Sequence, residues 1–574
     1  MKTLGINAAF HDSAACLVDD GRVIAAAEEE RFTQIKHGKR PVPFSAWELP
    51  YHAIDYCLAE AGVEIDAVDH VAYSFDPALF VNGSGLPPQI VLPLEPSAIR
   101  VPPGSAAWDP LFLSYVVNAP RQLAGGAPHH LQQRLRSKAG APRWSWHFVP
   151  HHLAHQASAF LAAPFDECAV LTLDGRGENT STQYGVFRGA RYTRLGEVPL
   201  PHSLGLLYED VTRHLGFLHS SDEYKVMALA SFGTRRFVDV FRRCVRWLGA
   251  GRYAIAPVPF GELCAPRLQG EPFLPVHADV AHAAQRVLEE TVLEIVRWLR
   301  RETDMRHLAM AGGVALNCVM NGFLRECGIF DDIWVQPAAG DAGTALGAAL
   351  WVDREARGGA GERAFRMEHA YLGPGYDDAE IESSLRHARA SYRRPDDLAR
   401  TVASHLAQNR VVGWFQGRME FGPRALGARS ILASPLDAGM QARLNELKDR
   451  EDFRPVAPAV LEEAAGDWFE NCSRSPFMLF VHRVPSAQRT RIPAACHADG
   501  TARVQTVSRS TSPLYHALIE AFGERTGVPV VINTSFNTRG KPIVCTPRDA
   551  LECFFASPID VLAIGPYVIE KEAP

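Results

Sequence analysis

The feature that most restricts the fold of this chain is a pattern of strands that occurs twice. Near the N-terminus, three short apolar segments within residues 3–29 are separated by the polar turns "HDS" and "GR", which predicts three consecutive strands. The same order of strand, Asp-containing turn, strand, glycine turn and strand returns at residues 168–197. We interpret the two segments as copies of one three-stranded unit. Two unrelated meanders in a large α/β protein are the competing interpretation.

Two such halves, each completed by helices, predict an α/β fold of the duplicated actin/hexokinase type. Residues 280–303 carry apolar residues at helical spacing, as expected for one of the covering helices. Residues 333–353 then read as a strand, a glycine-rich turn and a helix whose small residues permit close packing. The sequence therefore predicts that strands and helices alternate in the second half.

A chain of 574 residues is too long for a single hydrophobic core, so we expect more than one domain. The composition becomes charged and glycine-rich around residues 355–378, which indicates a boundary. We predict a first domain at 1–360, a linker at 361–380 and a second α/β domain at 381–574. A proline- and glycine-rich insertion of about residues 76–145 interrupts the first domain, as a lid or binding loop would.

Three histidines lie within five residues of the stretch "VPHHLAHQASAF". Pro150 suits the first turn of a helix, where its missing N–H costs nothing. His151 and His155 are then separated by four residues and lie on one face, while His152 points elsewhere. This spacing can present two imidazoles to one metal ion. On spacing alone, a packed and hydrogen-bonded histidine pair is the competing interpretation.

Two aspartates can complete a metal site with this histidine pair. Asp174 and Asp341 each follow a predicted strand, at the junctions where sheet-based sites usually lie. The positive end of a helix dipole disfavours a cation, so a metal there requires anionic ligands. We predict that His151, His155, Asp174 and Asp341 bind one divalent metal, with iron preferred and manganese or zinc as alternatives.

Glycine-rich turns before two predicted helices indicate an anion-binding cleft. Backbone N–H groups can approach a phosphate closely at such turns, and the helix dipole favours the anion. A single turn of this kind is common at helix starts, so the prediction rests on two turns beside the repeated strands. The predicted nucleotide contacts are Gly312, Gly313, Asn317, Asn321 and Gly340.

Charge and cysteine content exclude several classes of partner. The formal charge is −6, which argues against a nucleic-acid footprint. No run of 18 apolar residues occurs, so we expect no membrane span. The 11 cysteines are scattered without zinc-type pairs, which favours a reducing, cytoplasmic location. We expect a monomer or a homodimer.

Many segments resemble, in the same order along nearly the whole chain, the NodU/CmcH family of O-carbamoyltransferases. That family pairs a TsaD-like metal domain with a YrdC-like domain, and its members add carbamoyl groups to antibiotics and other secondary metabolites. The segments that carry the resemblance are 10–18, 27–38, 151–160, 171–178, 203–212, 222–230, 312–322, 340–349, 422–435, 450–461 and 533–544.

The resemblance implies that the C-terminal domain makes carbamoyl adenylate from carbamoyl phosphate and ATP, with Mg²⁺ accompanying the ATP. Lys448 and Arg454 match the family motif individually, and arginine suits bidentate phosphate binding. Any of the other basic residues is equally well explained as solvated surface. The implied contacts with ATP and carbamoyl phosphate are Arg418, Arg424, Lys448, Arg454, Arg509, Asn533, Ser535 and Asn537.

The resemblance further implies that the N-terminal domain transfers the carbamoyl group to a hydroxyl of a small molecule. His11 is the candidate general base because a neutral imidazole titrates near working pH, and Asp12 would orient it. Lys36, with His37, would contact phosphate; an ordinary charged loop is the alternative. We expect residues 76–145, Tyr208 and the segment 222–225 to shape the acceptor site.

Three other functions remain open on the sequence. A small-molecule kinase of the same superfamily would use ATP directly. Transfer of threonylcarbamoyl to tRNA is suggested by the two related domains, although the negative net charge argues against it. A non-catalytic nucleotide-sensing protein is the third alternative.

Overall fold

The computed structural model describes residues 1–38, 49–84, 143–359 and 363–571, together with short helical pieces between 116 and 124. These residues form two compact units, Met1–Met367 and Glu368–Pro574. The division falls inside the predicted linker 361–380. Most of the predicted insertion at 76–145 lies outside the described residues. In the described part of the chain, no helix is long and apolar enough to cross a membrane.

The first unit contains two five-stranded sheets with the same topology. The first sheet has the order β3-β2-β1-β4-β5 and the second has the order β12-β11-β6-β7-β8. In each, three antiparallel strands are followed by two strands parallel to the first. The predicted internal duplication, and with it the actin/hexokinase type of α/β fold, is therefore confirmed.

The strands of these sheets are β1 (Lys2–Asn7), β2 (Ala14–Asp19), β3 (Arg22–Glu28), β4 (His70–Tyr73), β5 (Ser145–Phe148), β6 (Cys168–Leu173), β7 (Thr180–Arg188), β8 (Arg191–Pro199), β11 (His307–Ala311) and β12 (Asp332–Val335). A separate hairpin consists of β9 (Val245–Gly249) and β10 (Arg252–Ile255). β1 and β6, the central strands, are almost entirely buried because helices cover their sheets.

The helices of the first unit are α1 (Glu30–Thr33), α2 (Tyr51–Glu60), α3 (Pro77–Ser84), α4 (His151–Phe160), α5 (Leu204–His214), α6 (Glu223–Leu229), α7 (Val238–Cys244), α8 (Phe260–Leu263), α9 (Pro275–Thr303), α10 (Cys318–Glu326) and α11 (Ala342–Ala356). α4 follows the last strand of the first sheet and α11 follows the last strand of the second. They are therefore corresponding helices of the two halves.

These two corresponding helices cross in close contact. A Cβ atom added at Gly347 of α11 would lie 1.8 Å from the carbonyl oxygen of Ala154 in α4. On the other side of α11, a Cβ atom at Gly5 of β1 would lie 2.0 Å from the carbonyl oxygen of Ala345. The small residues noted in the sequence therefore allow backbone-to-backbone contact between the halves.

The second unit is built on a seven-stranded mixed sheet of order β18-β15-β19-β14-β13-β20-β21, which fits the predicted α/β class. Its strands are β13 (Val412–Phe415), β14 (Arg429–Ala433), β15 (Ala457–Leu461), β18 (Gln505–Val507), β19 (Val530–Ser535), β20 (Val561–Ile564) and β21 (Tyr567–Glu570), with a hairpin of β16 (Val481–Arg483) and β17 (Thr501–Arg503). Its helices are α12 (Asp378–His387), α13 (Leu398–Ala407), α14 (Met440–Leu447), α15 (Ala465–Trp468), α16 (Ser486–Arg489), α17 (Pro513–Thr526) and α18 (Pro547–Phe555).

We expect the substitution Gly347→Ala to destabilise the first unit. Alanine favours a helix over glycine by up to about 1 kcal/mol, but here its methyl group would collide with a backbone oxygen, which no rotamer change relieves. The expected net loss is about 1–3 kcal/mol, measured as a lower midpoint of thermal unfolding.

Gly261→Ala is the matched control, because no atom lies within 4 Å of the added Cβ in α8. This variant should unfold at or slightly above the wild-type temperature. Equal midpoints for the two variants would contradict the close helix contact.

Candidate active site

The four residues predicted as metal ligands meet in the first unit. His151 and His155 lie on α4, Asp174 follows β6, and Asp341 immediately precedes α11. All four are buried, and one ligand atom from each lies within 4.8 Å of the others. The N-termini of α4 and α11, the corresponding helices of the two halves, thus meet at the C-terminal end of the central strand β6.

The distances within this metal-ligand cluster suit a small divalent ion. The Nε2 atom of His151 lies 3.5 Å from Oδ2 of Asp174 and 3.6 Å from Oδ1 of Asp341. The Nε2 atom of His155 lies 3.8 Å and 3.6 Å from the same oxygens. The centre of a tetrahedron with edges of about 3.5 Å is about 2.1 Å from its corners, a normal bond length for zinc with nitrogen or oxygen.

Neighbouring backbone groups orient two of these ligands. Nδ1 of His151 is 3.3 Å from the carbonyl oxygen of Ser74, so this nitrogen can carry the proton and leave Nε2 for a metal. The backbone N–H of Gly313 donates to Oδ1 of Asp174 at 2.8 Å, which leaves Oδ2 facing the histidines. Metal ligands in proteins are usually oriented by hydrogen bonds of this kind from neighbouring groups.

The chemistry of the donor set also fits a cation. The Nε2 atoms of His151 and His155 are only 3.2 Å apart. Two unprotonated imidazole nitrogens at this distance repel each other, so a proton or a metal ion must lie between them. Two neutral histidines and two carboxylates carry a net charge of −2, which a divalent ion would neutralise.

The buried charged groups strongly shift one another's pKa values. Burial lowers the pKa of His151, but the Asp341 and Asp174 carboxylates outweigh burial and hold that pKa well above its ordinary value. Burial alone would raise the pKa of Asp174, whereas its hydrogen bonds with His151 and His152 hold it well below the usual range. The carboxylates are therefore ionised at neutral pH and ready to bind a metal.

His152 lies outside the ligand set, as the spacing predicts. Its Nδ1 atom is 2.6 Å from the hydroxyl of Thr180, and its Nε2 atom is 3.9 Å from Asp174. Burial lowers the pKa of His152 to about 4. This imidazole is therefore neutral and borders the cluster without joining it.

The predicted catalytic residues His11, Asp12 and Lys36 lie together beyond the end of β1. Asp12 bridges two imidazoles: its Oδ2 is 3.2 Å from Nδ1 of His11, and its Oδ1 is 2.7 Å from Nδ1 of His37. The ammonium of Lys36 donates to the hydroxyl of Ser221 at 2.8 Å. Ser221 was not predicted, because nothing in its local sequence marks a residue that meets Lys36 only after folding.

His11 also touches the metal-ligand cluster, since its backbone N–H donates to Oδ2 of Asp341 at 3.4 Å. Burial lowers the pKa of His11, but the charges of Asp12 and Asp341 outweigh burial and raise it to about 10. In this charge state His11 is protonated at neutral pH, whereas the predicted general base requires a neutral imidazole. A cation bound at Asp341 would oppose the negative potential responsible for this shift.

The predicted nucleotide-binding glycines surround the Asp174 turn. Gly312 has φ of 97°, and a Cβ atom there would lie 2.1 Å from the carbonyl oxygen of Leu173. The N–H of Gly313 is occupied by Asp174, as described above. Gly340 borders Asp12, whose Oδ2 would be 3.7 Å from an added Cβ. These glycines therefore have an internal role in the site, and nucleotide contact stays a prediction.

The predicted asparagines are used internally as well. Oδ1 of Asn317 accepts from the N–H of Met320 at the start of α10, and its amide pairs with Gln285. Asn321 is fully buried and donates to the carbonyl of Ala315 at 2.7 Å. Such pairings were not visible in the sequence, because Gln285 lies on a different helix.

Two acidic residues of the 203–225 region interact with each other, Glu223 of the predicted acceptor-site segment and Glu209, which was not predicted. Glu209 accepts from Arg176 at 2.7 Å, and burial together with Glu209 raises the pKa of Glu223 to about 7. Tyr208 is buried and donates to Gln285 at 3.0 Å. The predicted contribution of 76–145 to an acceptor site lies mostly outside the described residues.

In the second unit, a buried ammonium group marks a candidate anion site. Lys448 donates to the backbone oxygen of Ser535, to its hydroxyl at 3.0 Å and to Oδ1 of Asn537 at 2.7 Å. All three acceptors are neutral. Burial, Arg450 and Arg454 together hold the pKa of Lys448 well below its ordinary value. This concentration of positive potential favours an anionic ligand.

The other predicted residues of the second unit each contact different neighbours. Arg454 lies 3.6 Å from Glu451, and Arg424 is half-buried. Arg418 donates to the carbonyls of Leu372 and Gly373, Asn533 donates to Ala425 and Gln505, and the exposed Arg509 pairs with Glu520. The structure therefore joins Lys448, Ser535 and Asn537 directly, whereas Arg418, Asn533 and Arg509 bond elsewhere.

Sequence comparisons assign both units to one family. The family model described as "Carbamoyltransferase N-terminus" matches residues 2–80 and 131–350, and "Carbamoyltransferase C-terminus" matches residues 403–571. The chain is 40% identical to nodulation protein NolNO of Sinorhizobium fredii (strain NBRC 101917 / NGR234), over 98% of this chain and 80% of that protein.

Three further proteins are similar to this chain. Nodulation protein U of the same strain is 30% identical over 94% of each chain. An uncharacterized protein of Synechocystis, sll1178, is 39% identical over 99% of this chain and 97% of that protein. Among solved structures, full-length HypF in its phosphate- and nucleotide-bound form shares 12% identity, with a TM-score of 0.33 over 63% of this chain and 56% of HypF.

We expect the double substitution His151→Ala/His155→Ala to abolish stoichiometric metal binding, because only two carboxylates would remain. The measurement is metal content after the metal-free protein is incubated with Fe²⁺, Mn²⁺ or Zn²⁺ and desalted. Asp341→Asn, which keeps the side-chain shape, should also lose the metal and guards against an effect of misfolding.

The pair His70→Ala/His147→Ala is the matched control. These imidazoles are also neighbours, with 3.0 Å between Nδ1 and Nε2, but they lack the two carboxylates. This control should retain full metal content. Full metal content in the His151/His155 variant would contradict the ligand assignment.

Proposed function

The chain belongs to the carbamoyltransferase family, and we propose that it is an ATP-dependent O-carbamoyltransferase acting on a hydroxyl group of a small molecule. The observation that carries this proposal is the pairing of two sites in one chain. One is the buried His/Asp cluster beside His11 and Asp12. The other is the buried Lys448 site, whose ammonium has neutral acceptors.

The Lys448 site is proposed to activate the carbamoyl group. Carbamoyl phosphate and ATP, with its Mg²⁺, both bring multiple negative charges, and Lys448, Arg450 and Arg454 supply positive potential for them. Hydrolysis of carbamoyl phosphate would release inorganic phosphate and leave carbamate. An oxygen of the carbamate would then attack the α-phosphate of ATP, releasing pyrophosphate and leaving carbamoyl adenylate. Ser535 and Asn537 hold the Lys448 ammonium in one orientation, which favours a single binding geometry.

The first unit is proposed to transfer the carbamoyl group. His151, His155, Asp174 and Asp341 would hold a divalent metal, for which iron is our preference. When bound, such an ion supplies Lewis-acid polarisation of a carbonyl or phosphate oxygen. The carboxylate of Asp12 lies 3.2 Å from the imidazole of His11. A cation bound at Asp341 would oppose the negative potential that keeps His11 protonated, and the neutral imidazole would then accept the proton of the attacking hydroxyl.

The acceptor is proposed to be a small secondary metabolite with a reactive hydroxyl. Family membership and the match of the second unit support carbamoyl transfer over the kinase and nucleotide-sensing hypotheses. A direct test is whether ATP turnover requires carbamoyl phosphate. A kinase would consume ATP with an acceptor alone, whereas the proposed enzyme would release pyrophosphate only when carbamoyl phosphate is present.

We expect the two half-reactions to be separable by substitution. Lys448→Ala should stop ATP–pyrophosphate exchange in the presence of carbamoyl phosphate, because the anion site loses its buried cation. His11→Ala should retain exchange and lose carbamoyl transfer by roughly 10²–10⁴-fold, the usual scale for removal of a general base. Both activities are measured on the same preparations.

Arg548→Ala is the matched control for the Lys448 variant. Arg548 is also basic and in the second unit, but it is largely exposed and paired with Glu552 at 2.8 Å. This control should show normal exchange. Equal loss of exchange and transfer in folded His11→Ala would contradict the division between the two units.

A further inference from the structure

One buried carboxylate of the second unit holds several backbone N–H groups of a single chain segment. Glu420 is only 2% exposed, and its Oε1 atom accepts from the N–H of Leu426 at 2.6 Å and of Ala428 at 2.8 Å. The N–H of Arg429 lies 3.4 Å from the same oxygen. Hydrogen bonds to an ionised acceptor are roughly twice as strong as neutral ones. Glu420 therefore fixes the backbone of residues 426–429, which we call the 426–429 segment.

Other side chains hold the carbonyl groups of the same segment. The hydroxyl of Tyr371 and the amide of Gln505 both donate to the oxygen of Leu426, at 2.9 Å and 2.7 Å. The indole N–H of Trp414 donates to the oxygen of Gly427 at 2.8 Å. These three donors are uncharged and come from distant parts of the chain. The segment is thus held on both sides of its backbone, with the charged contacts on the N–H side.

The backbone on either side of Glu420 is itself anchored. The N–H of Met419 donates to the oxygen of Pro374 at 2.8 Å, and the N–H of Phe421 donates to the oxygen of Ala370 at 2.7 Å. Residues 419–421 therefore pair with a neighbouring stretch of the second unit. The Glu420 carboxylate extends from a fixed point, so its position determines where the 426–429 segment lies.

The 426–429 segment leads directly to the residues that hold Lys448. The oxygen of Arg429 accepts from the N–H of Phe536 at 3.0 Å, and Ser430 of β14 is paired with Ser535 of β19. The Lys448 ammonium donates to the hydroxyl of that same Ser535 at 3.0 Å. A displacement of the segment would therefore move the strand end that positions the ammonium.

We propose that Glu420 is a positioning residue of the adenylate-forming reaction. It holds the 426–429 segment, and through it Ser535, in the arrangement that the Lys448 anion site requires. This inference rests on the proposed function for the identity of the reaction. Glu420 acts through the backbone and does not contact the substrates. A site that spends less time in its binding arrangement binds more weakly in proportion, so loss of Glu420 should raise KM more than it lowers kcat.

The first experiment examines the segment itself and requires no activity. Deuterium uptake by backbone amides is followed by mass spectrometry on the full chain, for the wild type and for Glu420→Gln. Glutamine keeps the shape of the side chain and loses its charge. We expect the amides of the 426–429 segment to take up deuterium about 10- to 100-fold faster, the range for loss of a hydrogen bond to a charged group. Unchanged uptake in the folded variant would overturn the proposal.

Asp560→Asn is the matched control. Oδ2 of Asp560 accepts from the backbone N–H of Val411 at 2.6 Å, at the other end of β13. This variant weakens a charged backbone contact in the same sheet without touching the 426–429 segment. Its segment should take up deuterium at the wild-type rate. Equally fast uptake there in both variants would indicate a general loosening of the sheet and would overturn the specific role of Glu420.

The second experiment measures ATP–pyrophosphate exchange at varied carbamoyl phosphate concentration. For Glu420→Gln we expect KM to rise about threefold to tenfold while kcat stays within about twofold, because the ligand must also order the segment when it binds. Asp560→Asn should keep the wild-type KM. A purely structural role would lower the midpoint of thermal unfolding in both variants and leave KM unchanged.

The outcomes separate this proposal from the proposed function. A wild-type KM in Glu420→Gln, or a lower kcat with unchanged KM, would overturn the positioning role and leave O-carbamoyl transfer intact. Absence of ATP–pyrophosphate exchange in the wild type would contradict the proposed function. In that case the deuterium uptake of the two variants would still decide whether Glu420 orders the 426–429 segment.

Discussion

The close contact between α4 and α11 is the constraint on which the first active site depends. Because Gly347 has no side chain, the two helices approach until a Cβ atom would stand 1.8 Å from the Ala154 oxygen. Each helix carries metal-ligand residues at its N-terminal end. A wider separation would move Asp341 away from His151 and His155, and the distances of 3.6 Å between them would be lost. Glycine packing in the core thus sets the dimensions of a polar site at its edge.

The two candidate sites handle buried charge in opposite ways. The first unit collects carboxylates and imidazoles, whose mutual interaction holds the pKa of His151 up and that of Asp174 down. This arrangement favours a cation. In the second unit, Lys448 is buried beside neutral oxygen atoms and near Arg450 and Arg454, which favours an anion. The preferred ligand of each site follows from the charge that the protein leaves uncompensated.

Asp12 shows how a single carboxylate can organise two different groups. Its two oxygens reach His11 and His37 at 3.2 and 2.7 Å, so both imidazoles present their Nδ1 atoms to the same residue. Asp12 itself has φ of 54°, a strained value for a residue with a side chain. The turn after β1 therefore holds a conformation that places both oxygens between the imidazoles.

The sequence by itself determined the duplicated strand order and the four residues that form the candidate metal site. Strand periodicity, His-x-x-x-His spacing and aspartates at strand ends are local patterns, and parallel strands bring their carboxyl ends together. Only the tertiary structure decided which side chains pair across the fold. Examples are Ser221 with His37, Asn317 with Gln285, and Arg509 with Glu520. These pairs join residues whose spacing carries no periodic signal. The packing of separate helices and loops sets their distances. Burial and neighbouring charges together set the pKa values of His11, His151 and Lys448.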